Sequence, residues 1–381
     1  MLRRMMGWLP GSIPAVLLLA LGLTLGGWAK AGDEWHGPGM AFYTDFDPKI
    51  PMAVYIVKVD RKHPDLRLYT TLGGGRFIGM ATLSQQAGFI PPSIGQPLAG
   101  INGDYFGVRE PYIGDPLNLQ ILLGGELISA PGEDRAFFYI DAQGNPRITN
   151  AISDFKVIWP DGKSTPIGLN QTPMTGQAVL YTAAAGPDTR IEGVDLILER
   201  NGQDPWLPLR IGQTLNARVK AINKNGYSKL NTNIMVLSLS PRQLRALPEL
   251  REGMVLKIVT DTIPGLKGAQ LAIGGGPSLV RNGKVRDFDG IQVRHPRAAF
   301  GFNDRYYFFV QVDGRQARHS LGMTYRELAE YFVKLGCTEA LNLDGGGSAS
   351  MWVNGRIVNN PSQGRERPSA NALFLIRAPK S

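Results

Sequence analysis

Short apolar runs that stop at an Asx-Gly or a glycine cluster recur along this chain, and they set the expected elements. Met52 to Val59 is rich in β-branched residues and predicts a strand; Leu66 to Thr70 alternates and predicts its partner. Thr82 to Ala87 predicts a short helix with Thr82 as cap. Leu119–Leu123 with Glu126–Ser129, and Ala136–Ile140 with Arg147–Thr149, read as two hairpins. From about 151 to 260 strands recur at short spacing, at Phe155–Trp159, Ala178–Thr182, Gly193–Leu198, Thr214–Ile222 and Asn233–Leu239, which predicts a β-rich insert. Ser240 and Pro241 open a short helix to Leu247.

The best-defined unit lies near the C-terminus. Arg305 to Val312 predicts a strand ending at Asp313-Gly314. Thr324 and Glu327 form a capping box, and Leu328, Phe332 and Leu335 share one helix face up to Gly336. Ala340 to Leu343 predicts the next strand, ending at Asp344-Gly345-Gly346-Gly347-Ser348. Strand–helix–strand predicts two parallel strands whose ends share one edge of the sheet. If they are immediate neighbours, Asp313 and Asp344 reach one ligand. Ser348–Val353, Arg356–Val358 and Ala372–Ile376 complete the chain. The expected fold is therefore α/β or α+β, a mixed sheet with flanking helices and a β-rich insert.

The other ends of the apolar runs follow the same grammar. Leu98–Ile101 stops at Asn102-Gly103-Asp104, and Leu271–Ile273 stops at Gly274-Gly275-Gly276. Glycine tolerates φ > 0 and leaves bare N–H groups beside a ligand. A tight turn is the plain alternative for each such stretch.

Residues 1–31 read as an export signal: Arg3 and Arg4, an apolar run Ile13–Leu25, and a small-x-small cleavage site at Ala29-Lys30-Ala31. An uncleaved anchor is the alternative, although the run is short for a span. Residues 32–50 are expected to be a polar, irregular lead-in, and 51–381 one domain. No other stretch is apolar enough to cross a bilayer, so the expected location is periplasmic or extracellular. The one cysteine, Cys337, makes no internal disulfide and reads as a small buried residue.

Formal net charge is +9. Removing Arg3, Arg4 and Lys30 leaves 9 − 3 = +6. The basic residues are dispersed, with no aromatic-basic repeat, which argues against nucleic acid and for an anionic partner or a solvated surface. There is no G-x-S-x-G, P-loop, H-E-x-x-H or C-x-x-C. His295, between Arg294 and Arg297, is open to a site or a structural role.

What remains is acids, amides, arginines and glycines at strand ends. Carboxylates act at a sugar's anomeric carbon; arginines and backbone N–H groups suit a phosphate. The set points to a sugar phosphate or another anionic carbohydrate.

Four stretches resemble the phosphodiester glycosidase family: Ala99–Phe106, Pro296–Gly301, Val312–Arg315, and Leu341–Ser348 together with Arg365–Leu373. The resemblance spans roughly 50 to 377, strongest after 270. Two positions depart from the family pattern: Asp104 stands where a second glycine is frequent, and Ala298 where threonine is. Both fall inside motifs and bear on substrate choice. The resemblance implies an exported glycosidase acting on a sugar phosphodiester or a related linkage in envelope or extracellular polysaccharide. It implies Asp313 and Asp344 as the catalytic carboxylates. Arg297 and the N–H groups of Gly345, Gly346 and Gly347 would hold phosphate, with Ser348 and Arg367 beside them. Asn102, Asp104 and Asn371 would orient sugar hydroxyls. No cofactor is expected, and a divalent cation stays open. A non-catalytic module binding anionic polysaccharide and a metal-dependent phosphodiesterase are the alternatives.

Overall fold

The computed structural model describes residues 34–47, 49–245, 247–290 and 292–379. The expected export signal, 1–31, lies outside them. Strand takes 43% of the structure and helix 8%, so the α/β expectation is overturned: this is a β protein. An eight-stranded sheet, two five-stranded sheets and a closed seven-stranded barrel make up the body.

The correction has a definite origin. Arg297–Phe302 is a strand buried at every position, and it was not expected. It pairs antiparallel with both Tyr306–Val312 and Glu339–Asn342. The two strands joined by the helix Tyr325–Lys334 are therefore parallel to each other but not neighbours. Likewise Leu66–Leu72 pairs with the last strand, Asn371–Arg377, and Met52–Asp60 pairs with Met40–Asp47 and Tyr306–Val312. Residues 34–47, expected to be irregular, form a hairpin.

The eight-stranded sheet packs one face against both five-stranded sheets, around Val57, Ile101, Phe138, Phe300, Phe309 and Leu373. Its other face carries the helix Tyr325–Lys334 through Leu328, Ala329 and Phe332, beside the buried Cys337. Burial pushes the Cys337 thiol up to about 12, consistent with an inert core residue. The barrel runs from Ile152 to Ile263, over the stretch read as an insert, and includes two strands that reading missed, Ser164–Leu169 and Val255–Ile263. Its core, around Val157, Leu196, Leu237 and Ile258, continues into Ile121, Phe137 and Ala272 of the neighbouring five-stranded sheet.

Candidate functional site

Strand direction gathers the motifs. Tyr306–Val312 ends at Asp313, the antiparallel neighbour begins at Arg297, and Glu339–Asn342 leads to Asp344. Across the core, Gln96–Asn102 ends beside the first residue of the strand Asn371–Arg377. The two sheets are tied at this edge: Asp344 N–H donates to the Gly103 carbonyl at 2.8 Å, and Asn102 Nδ2 donates to the Asp344 carbonyl at 2.6 Å. Asn102 Oδ1 accepts from Ser350 N at 3.0 Å, so this side chain is a clip between chain segments.

Glycines let the segments close up. A Cβ on Gly345 would stand 2.7 Å from the Pro296 carbonyl, one on Gly314 2.5 Å from Pro296 N, and one on Gly322 2.3 Å from the His295 carbonyl. His295-Pro296 is thus boxed in by three glycines. Gly346, at φ +60, donates its N–H to the Pro296 carbonyl at 2.9 Å, and Gly345 N–H bonds the Asp344 carboxylate. Two of the three N–H groups expected to meet phosphate are therefore already engaged.

Asp344 is buried. Arg367 Nη2 lies 3.2 Å from its Oδ2, and Arg367 Nε donates to Ser348 Oγ at 3.0 Å. Burial raises the Asp344 pKa, opposed by Ser348 and Arg367. Glu366, beside Arg367 in sequence, instead receives Ser84 Oγ at 2.7 Å, so the two do not form a pair with each other.

Asp313 faces inward. It is 1% exposed. Oδ2 accepts from Tyr55 OH at 3.0 Å and lies 2.8 Å from His319 Nε2. Oδ1 accepts from Asn359 Nδ2 at 3.0 Å and Asn360 N at 3.1 Å. His319 is over a third exposed, and the bond to Asp313 raises its pKa. His319, Tyr55, Asn359 and Asn360 were all missed. The one available signal was His319 in the turn six residues after Asp313.

Asp104, Asn371 and Arg297 are wall residues. Asp104 is fully buried; its N–H donates to Asn371 Oδ1 at 2.7 Å, its Oδ1 accepts from Tyr105 N at 2.8 Å, and its Oδ2 has no hydrogen-bond partner among the described residues. Burial pushes this carboxyl up to about 8 against the pull of Arg135. Asn371 Nδ2 donates to Gln120 Oε1 at 2.8 Å. Arg297 donates to the Met323 and Val293 carbonyls at 2.8 and 3.0 Å and lies 4.0 Å over the Tyr325 ring. Burial, Arg297 and Arg315 lower the pKa of His295, whose Nδ1 is 3.4 Å from Arg315 Nη2.

This edge thus carries one buried carboxylate with a hydroxyl and a guanidinium, and Arg315 approaches the glycine loop at Gly346. Among the described residues no group of three or more His, Cys, Asp or Glu is placed to hold a metal. A separate cleft opens at the opposite strand ends, lined by Val59, Leu66, Leu123 and Tyr307. Its one acid, Asp60, bonds the Lys62 N–H within a turn at 2.9 Å, so the chemistry favours the motif edge.

Residues 212–376 match the phosphodiester glycosidase family, which bears out the expected resemblance over that part of the chain. The match includes Arg297, Asp313, Asp344, Ser348, Arg367 and Asn371, and ends after the stretch resembling Arg365–Leu373. A prophage-derived uncharacterized protein of Bacillus subtilis (strain 168), YomE, is 37% identical over 115 residues, 29% of this chain and 18% of that protein. This chain thus spans under a fifth of that relative's length. A hypothetical protein from Synechocystis has a similar fold, with TM-score 0.69 and 18% identity over 89% of this chain and 62% of its own. A candidate exported protein from Burkholderia pseudomallei K96243 gives TM-score 0.62 and 21% identity over 85% of this chain and 74% of its own.

Proposed function

We propose that this chain, with its phosphodiester glycosidase match, is an exported hydrolase cleaving the bond between a sugar's anomeric carbon and a phosphodiester or related group, in envelope or extracellular polysaccharide. The observation that carries this reading is the Asp344 carboxylate held at the sheet edge by Arg367, which also bonds Ser348. A carboxylate there stabilises positive charge developing at the anomeric carbon. A phosphate leaving group departs as a stable anion, so one substrate-facing acid suffices where most glycosidases need two. Arg367 and Arg315 attract the anionic substrate, in keeping with the basic balance of the chain. The N-terminal charge, apolar run and small-x-small site support export. No helix among the described residues is long and apolar enough to cross a membrane.

Asp344→Asn keeps the shape and the Ser348–Arg367 bond while removing the charge. Turnover of a panel of sugar 1-phosphodiesters should fall about 10³-fold, with circular dichroism unchanged. Full turnover in that variant would discard Asp344 as the reacting acid. A wild type that binds the panel but turns over none of it would leave a carbohydrate-binding module.

A further inference from the structure

The expectation that Asp313 meets the substrate conflicts with where its oxygens go. Both are saturated by protein donors from three directions: Tyr55 on the neighbouring strand, His319 in the turn that follows, and the Asn359-Asn360 segment. A carboxylate so enclosed cannot also reach an anomeric carbon. It can fix the ring it touches. The turn is pinned as well: Ser320 Oγ donates to the Asp313 carbonyl at 2.6 Å and receives Ala53 N–H at 3.1 Å.

We infer that His319, oriented by Asp313, is the substrate-facing cation of the site and reads the phosphodiester's negative charge. Nε2 is the nitrogen committed to Asp313, which leaves Nδ1 as the outward atom of a ring over a third exposed. Nδ1 makes no hydrogen bond among the described residues. The tautomer then follows. Neutral His319 keeps its proton on Nε2 for Asp313 and turns a lone pair outward at Nδ1, which repels a phosphate oxygen. Protonated His319 carries N–H on both nitrogens: one still donates to Asp313, the other donates to the phosphate. One proton therefore converts repulsion into a charge-assisted bond. The charged groups facing the ring fit this: Asp313 bonds it directly and raises its pKa, and Tyr55 shares the same carboxylate oxygen. Arg315 lies in the same turn and approaches the glycine loop at Gly346, where a Cβ would stand 3.1 Å from its guanidinium. The phosphate would sit between that turn and the loop following Asp344.

This inference rests on the reading that the substrate is a sugar phosphodiester. The probe is the methyl phosphodiester of glucose 1-phosphate or of N-acetylglucosamine 1-phosphate, whose single charge does not titrate near neutrality. Binding is followed calorimetrically from pH 5 to 8.5 in wild type, His319→Gln and Asp313→Asn. Wild-type affinity should fall about tenfold as pH rises through the His319 ionisation. His319→Gln should bind about tenfold more weakly than wild type at pH 5 and lose the pH dependence. Asp313→Asn should move the midpoint to lower pH, a shift also read directly from the His319 imidazole proton resonances. A pH dependence that persists in His319→Gln, or a His319 midpoint unmoved by Asp313→Asn, would overturn the inference and leave the proposed function standing. A wild type that binds neither probe at any pH would overturn the proposed function itself.

Discussion

Asp104 brings a carboxyl group into a wall where its Oδ2 has no hydrogen-bond partner among the described residues and lies where a Cβ on Gly274 would clash. Burial raises its pKa from 3.8 to about 8, so the folded protein keeps a proton that the unfolded chain releases. Its contribution to stability is therefore full below about pH 4, declines as pH rises toward about 8, and is flat above. Asp104→Asn, with nothing to ionise, should abolish this decline and gain on wild type by a few kcal/mol on the order-of-magnitude scale between pH 5 and 8. Urea unfolding at several pH values measures it; parallel pH slopes for the two proteins would discard the assignment. At this scale the sequence was half legible. Asp344, Ser348 and Arg367 announce themselves because a strand ending in glycines and a nearby arginine are local patterns. Asp313 looked equivalent to Asp344. Its inward direction is set by Tyr55 and Asn359, residues 258 and 46 positions away, and no local pattern encodes such partners.

The helix Tyr325–Lys334 was legible down to its cap, since a capping box is written in four consecutive residues. Thr324 Oγ1 accepts from Glu327 N at 3.1 Å, and Glu327 Oε2 accepts from Thr324 N at 2.9 Å. Gly336 closes the helix at φ +79. Arg297–Phe302 was illegible for an equally physical reason. It is buried on both faces, so it lacks alternation, and Ala298, Ala299 and Gly301 are poor strand formers. On the helix side, Ala299 and Gly301 leave the room the helix needs: a Cβ on Gly301 would stand 2.7 Å from the Phe332 ring and 2.9 Å from the Glu339 carbonyl. Gly301→Ala should cost about 1–3 kcal/mol through overpacking. Chemical denaturation measures this, and a neutral substitution would mean the helix is free to ride outward. Missing this one strand left adjacency of the two parallel strands open and pushed the expectation to α/β or α+β.

Across the molecule, the strand Phe137–Ile140 joins two cores. Successive side chains point to opposite faces, so Phe137 enters the core shared with the barrel while Phe138 packs 4.8 Å from Phe300 in the other. Adjacent residues on one rigid strand couple the two halves. Phe138→Ala should lower a single unfolding transition by about 3–5 kcal/mol, moving near-ultraviolet and far-ultraviolet signals together. Two separate transitions, only one of them shifted, would show that the barrel unfolds by itself. The barrel's place in the chain was readable from closely spaced strands, but its closure was not: that depends on pairing Ile152–Ile158 with Val255–Ile263, a hundred residues apart.

The glycine box around His295-Pro296 limits how such a site can diversify. With backbone against backbone on three sides, this seam has no room for an added atom, let alone an inserted residue. New specificities must be reached by exchanging side chains beside the seam and the adjoining glycine loop, such as Arg315, next to His295 and Gly346, and Gln363, against Gly347, while loop lengths there stay constant. A library aimed at altered substrates is best built by substitution at those two positions, with length variation confined to hairpin tips on the far side of the sheets.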